Sequence, residues 1–220
     1  MKKMKKVMVV GVLCSLVSAA TVFGGWSVAT PGDPTAMATD GRLVKASNLG
    51  KEAAPQKIGG ITYDVDYSNI TNANPASHVW PEGKFYTGSD AAIFNLMNTG
   101  GLVSEWGPTV MTFTFSGLTV GHDYCFQLLL GGAWGGCSAN LYGVKNEYQY
   151  VYFSNGSTPK LATFTWTADT ASATIWTNAG KNQANHFNLA YALHDTSVPE
   201  PVTLLLLGFG GLLGLRRERI

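Results

Sequence analysis

Asp64 and Asp66, two residues apart in ITYDVDY, are the first side chains in this 220-residue sequence whose type and spacing suit chemistry. In an extended strand, residues two apart share a face. Paired carboxylates suit glycosidic hydrolysis, which needs an acid and a base or nucleophile about 5–9.5 Å apart. Glu105 is the third acid such an enzyme would draw on. The same oxygens, with Asn69, Asn72 and Asn74 behind them, also suit calcium. The spaced acidic loop of a calcium site is missing, however, and no cofactor or metal is expected. A solvated strand face would carry the same pattern. Cys125 and Cys137, with eleven residues between them, form an even pair beyond Cys14. In an oxidising compartment they would close a disulfide contributing about 3 kcal/mol; the alternative is two unpaired thiols. His78, His122, His186 and His194 lack metal-ligand spacing. There is no Gly-x-Ser-x-Gly elbow and no phosphate-binding loop, so no catalytic residue is expected. Trp106 and Trp134 adjoin glycine, which suits loops where an indole could stack on a sugar. Trp166 and Trp176 lie inside alternating runs and are expected in the core.

The elements that position these residues read as strands. Ile61, Tyr63, Val65 and Tyr67 alternate with Thr62, Asp64 and Asp66, the period of a half-buried strand. TVMTFTFSG, HDYCFQLLLGG, YQYVYF, KLATFTWTA, SATIWTNA and NHFNLAYAL continue the series, separated by turn-rich clusters such as GLTVG, GGAWGG and SNGSTP. Seven or more short strands at this spacing predict an all-β fold, an antiparallel β-sandwich. DAAIFNLMNTGG breaks the pattern. Ala92, Ile93, Leu96 and Met97 have helical spacing behind Ser89 as N-cap, which predicts one short inserted helix. Residues 30–60 are rich in Ala, Thr, Gly and Pro and read as a leader or linker, with Arg42 to Leu49 forming one short element. The sandwich domain is expected over 61–196.

Charge is sparse and unevenly placed. Seven of the 15 basic residues sit at the two ends: Lys2, Lys3, Lys5, Lys6, Arg216, Arg217 and Arg219. The body between them is acidic on balance. A nucleic-acid binder needs a basic face, so nucleic acid is excluded as a partner. The N-terminus places four lysines before an apolar run from Val7 to Val17 and then small residues. That order predicts a signal peptide within 1–29, processed by signal peptidase near Ala20 or after Ala29. The C-terminal segment, 197–220, holds an apolar block from Val202 to Leu215 broken by four glycines. Fourteen helical residues cover roughly 21 Å of a hydrocarbon core about 30 Å thick. The arginines behind it would hold the C-terminus on the cytoplasmic side.

Pro199-Glu200-Pro201, the glycine-broken apolar block and the closing Arg216, Arg217 and Arg219 together resemble the PEP-CTERM protein-sorting signal. The resemblance covers about the last 23 residues. It implies export in a Gram-negative-type envelope and a transient inner-membrane tail. It further implies processing by an exosortase-type protease, then delivery to the outer surface or an extracellular polysaccharide matrix. FTFSGLTVGHDYCFQLLL and the closing strand Asn185 to Leu189 resemble galactose-binding-like jelly-roll modules. That implies a jelly-roll-like sandwich, and many such modules bind carbohydrate at loops. The expectation is a non-enzymatic cell-surface or biofilm-matrix protein. The first alternative is a carbohydrate-binding module, the second a polysaccharide-acting enzyme.

Overall fold

The computed structural model describes residues 24–29, 41–49, 55–58, 60–71, 102–103, 110–132, 137–153, 159–179 and 186–197. The inserted helix, residues 1–23 of the signal segment, the sorting tail from 198 onward, Glu105, Trp106 and Trp134 lie outside the described residues. Within them the fold is two facing antiparallel sheets. One sheet runs β1 (Gly25–Ala29), β11 (Lys160–Thr167), β8 (Asp123–Gly132), β13 (His186–Asp195) and β2 (Arg42–Asn48), with β6 (Leu102–Val103) also on β13. The other runs β10 (Tyr148–Phe153), β9 (Cys137–Tyr142), β12 (Ser172–Ala179), β7 (Met111–Ser116) and β5 (Ile70–Thr71). A small hairpin, β3 (Gln56–Ile58) with β4 (Ile61–Tyr63), stands apart in pairing. From β7 to β13 the chain changes sheet at every connection except the β9–β10 hairpin, which is the crossing habit of a jelly roll. The all-β sandwich expected from the alternation is therefore the observed fold.

The alternation tells which face each strand turns inward. Met111, Phe113 and Phe115 of β7 are buried, as are Val151 and Phe153 of β10 and Ala173 and Ile175 of β12. Phe113, Phe126 and Tyr191 meet across the sandwich with ring centroids 5.4–5.8 Å apart. Each such ring contributes roughly 1.5–3 kcal/mol by leaving water. β8 does not alternate in burial: Cys125, Gln127 and Leu129, on its outward side, are buried along with its inward side chains.

The short element expected at Arg42 to Leu49 is β2, which pairs along β13 with a bulge at Leu193/His194. One boundary differs from expectation. Gly25–Ala29, expected within the signal segment, pairs with β11 over its whole length. Trp26 anchors that strand: its indole N–H donates to the Glu147 carbonyl at 2.9 Å, and its ring lies on Phe164. The sandwich therefore recruits chain well before residue 61. In ITYDVDY the strand stops at Tyr63, and Val65 is exposed.

Candidate functional site

The residues singled out by type do not converge. The Asp66 carboxylate accepts an ion pair from Lys45 at 2.9 Å and caps its own turn by accepting from the Ser68 amide at 2.8 Å. These partners, Lys45 first, hold its carboxyl well below the usual carboxylate range. Asp64 is exposed beyond β4, and its backbone carbonyl takes the Asn48 amide. Asp66 thus acts as a local fastener between β2 and the following turn. Among the described residues no group of His, Cys, Asp or Glu is placed to hold a metal ion.

The disulfide expected between Cys125 and Cys137 is corrected. Neither cysteine is in a disulfide and both are buried, and they sit on opposite sheets near opposite ends of the sandwich. Cys125 lies seven residues before Gly132, roughly 23 Å along β8. Gly132 in turn lies against Phe153, the partner of Cys137. A disulfide needs Cα atoms within about 7 Å. Burial pushes the Cys125 thiol up to about 11, so it is protonated and unreactive at neutral pH.

A different set of residues does converge, on the outer face of the five-stranded sheet. Cross-strand partners point to the same face, and the register aligns Tyr148, Tyr142, Trp176 and Thr112 in one row and Tyr150, Asn140 and Asn178 in the next. Trp176 is half-buried on this outer face, not in the core as its alternating run suggested. Its ring stacks on Tyr142 at 3.5 Å and 11°, and Tyr142 meets Tyr148 at 5.3 Å. The Asn140 amide donates to the Asn178 carbonyl oxygen at 2.8 Å, and the Tyr148 hydroxyl donates to the Asn140 oxygen at 2.9 Å. Tyr148, Tyr150 and Tyr152 are 56%, 38% and 50% exposed. Thr114, Thr174, Ser116 and Ser172 extend the surface with hydroxyls. No charged residue stands among these positions. The face offers aromatic walls beside oriented amides across three strands, roughly 10 Å. That arrangement suits a neutral polyhydroxylated ligand: ring carbons pack on aromatics, and hydroxyls bond to amides. The signal for it lay in YQYVYF, where tyrosine occupies every position opposite in phase to Val151 and Phe153.

Two further polar groups are buried without forming such a surface. His186 is enclosed at the end of β13 nearest Gly132, and burial pushes it down to about 4. Its Nε2 lies 3.5 Å from the Asn188 amide nitrogen, which also faces the Met111 sulfur at 3.7 Å. At the opposite end, buried Asp195 joins Arg42 at 3.3 Å and His122 at 3.0 Å. Thr196 and Ser197 bond to the backbone of Asp123, closing the last strand onto the first turn of β8. Among the described residues no helix is long and apolar enough to cross a membrane.

No family model matches the chain, and no curated protein matches it. Among solved structures it is similar to a GH26-CBM35 β-(1,4)-mannanase of Podospora anserina, at 12% identity and TM-score 0.37. That match covers 81% of this chain and 29% of the other. It is also similar to a family GH115 4-O-methyl-α-glucuronidase with specificity for decorated arabinogalactans, at 10% identity and TM-score 0.35, covering 66% of this chain and 19% of the other. The chain thus spans less than a third of either protein, and at these scores nothing of their chemistry passes to it.

Proposed function

We propose that the body of this protein is a non-enzymatic, carbohydrate-binding sandwich of an exported envelope or matrix protein, directed there by its C-terminal tail. The observation that carries the binding role is the uncharged outer face with Tyr148, Tyr142 and Trp176 in one row and Asn140 and Asn178 in the next. Its neutrality favours a neutral polysaccharide over an acidic one, because an anionic chain would gain nothing from these side chains. The acid pair that hydrolysis would need has no support: Asp66 is committed to Lys45.

The full chain should bind a neutral polysaccharide on a glycan array. Tyr148→Ala and Asn178→Ala should each weaken binding roughly tenfold, the scale of a single well-placed contact. Val120→Ala, at an exposed turn between β7 and β8, should leave binding unchanged. If Tyr148→Ala binds as tightly as the parent while Trp134→Ala does not, the site is at the β8–β9 connection and the face is not the ligand surface.

The export part rests on the two ends of the sequence. Pro199, Glu200 and Pro201 would be read by an exosortase-type protease, and Arg216, Arg217 and Arg219 would hold the tail in the inner membrane until cleavage. β1 adds a constraint on the other end. Cleavage after Ala29 would remove Trp26 from Phe164 and from the Glu147 carbonyl, and would strip an edge strand from the sheet. Signal peptidase is therefore expected to cut near Ala20. Mass spectrometry of the surface form should find a chain that retains Trp26 and lacks Leu204 to Ile220. A mature N-terminus at Thr30, or an intact tail, would overturn the corresponding half.

A further inference from the structure

The five-stranded sheet ends on β10, and no described strand pairs with its outer edge. The hydrogen-bonding phase of that edge follows from the hairpin. The Gly143 amide donates to the Glu147 carbonyl at 2.8 Å. In an antiparallel pair, bonded and non-bonded residue pairs alternate. Counting on from Gly143 and Glu147, the bonded pairs are Leu141 with Gln149, Ala139 with Val151 and Cys137 with Phe153. Tyr148, Tyr150 and Tyr152 therefore turn their N–H and C=O groups away from β9, to the side on which no described strand pairs. The Gln149 side-chain amide donates to the Tyr150 carbonyl at 2.8 Å, standing where a neighbouring strand would donate.

Sheet edges in stable monomers are blunted by charges, proline, bulges or shortness. β2 has Arg42, Lys45 and a bulge, and β5 has two residues. YQYVYF has none of these. Six uncharged residues, five of them β-favouring, without glycine or proline are the composition that pairs edge to edge.

We infer that β10 is a docking edge for a second copy of this chain, paired antiparallel across a two-fold axis at Tyr150. The register is dictated by the phase. Only outward-turned residues can exchange bonds, so the tyrosines must face one another. Centring on Tyr150 sets it against its own copy and sets Tyr148 against Tyr152. All three outward positions are then bonded. A two-fold axis also opposes a strand's charges to themselves, and an uncharged strand has nothing to repel. The two five-stranded sheets become one continuous sheet, and the tyrosine rows of the two copies meet along it.

Sedimentation of the full chain should show a dimer. Tyr150→Lys, which sets two ammonium groups against each other at an exposed position, should raise the dimer dissociation constant at least roughly tenfold. Thr174→Lys, on the same face but two strands inward, should not. Under mild oxidation Tyr150→Cys should give a covalent dimer, because bonded partners have Cα atoms about 5.5 Å apart. Tyr148→Cys alone should not cross-link, its own copy lying four residues away, roughly 13 Å. Mixed with Tyr152→Cys it should. A monomeric wild type, a Tyr150→Lys variant that sediments like wild type, or cross-linking of Tyr148→Cys to itself would each overturn the inference.

Discussion

The midpoint of urea unfolding should fall steeply as pH drops from 6.5 to 4, and His186 should account for most of the fall. The His186 imidazole is fully enclosed, and burial pushes it down to about 4 from an ordinary value of 6.5. The native state thus holds the ring neutral where the unfolded chain already binds a proton. Stability falls wherever the unfolded state takes up protons first, so the loss begins as pH passes below the unfolded value and ends near the folded one. A difference of this size is worth about 3 kcal/mol, a large part of a typical domain's stability. His194 is lowered by burial as well and adds to the loss with the same sign. Asp66, held low mainly by Lys45, adds its loss only at more acid pH, as protonation breaks that pair. Tryptophan fluorescence across a pH series would measure the slope. His186→Gln keeps a polar side chain of similar size without the titration, and should flatten the curve between pH 4 and 6.5. An unchanged slope in that variant would sink the assignment.

The second large effect is expected at Gly41. Its φ of 109° lies in the left-handed region, where a side chain is strained. A methyl there would also stand 2.5 Å from the Asp195 carbonyl oxygen and 2.9 Å from the Thr196 Cα. Both neighbours are backbone, and they are held by the bonds that close β13 onto Asp123. Strain and overlap together should make Gly41→Ala cost about 3 kcal/mol. Gly117 offers the matched comparison. It also has positive φ, but a methyl there meets nothing within 4 Å. Gly117→Ala should cost only the conformational part, about 1–2 kcal/mol. Equal losses at the two positions in thermal or urea unfolding would show that contact with Asp195 contributes nothing.

Strands were legible in this sequence because most of them separate an apolar face from a polar one. MTFTFS does so without exception and YQYVYF with one, Gln149, which falls in phase with Val151 and Phe153; both strands fall where the alternation puts them. Which face turns inward was less legible. SATIWTNA offers Ile175 to one side and Trp176 to the other, both large and apolar, and only the neighbouring strand decides that Trp176 joins Tyr142 outside. The cysteine pairing failed for a related reason: a short separation along the chain says nothing about a ten-residue strand that carries one thiol to the far end of the sandwich. β1 was hidden because GWSVA sits beside a signal-like segment whose composition dominates the view. The aromatic face lay in plain sight in YQYVYF. Its amides did not, since Asn140 and Asn178 meet only through the β9–β12 register. The Arg42–Asp195–His122 cluster draws on positions up to 153 residues apart and had no local sign.

The last strand of the body has a mechanical consequence. β13 is a ten-residue central strand with β8 on one side and β2 on the other, and its end is fastened by Thr196 and Ser197 to Asp123. A pull along the strand axis at Ser197 cannot peel an outer strand one bond at a time. It must shear two ladders together, after first breaking the fastening at Asp123. A chain tethered by the segment that follows Ser197 would therefore carry load through the strongest line in its fold.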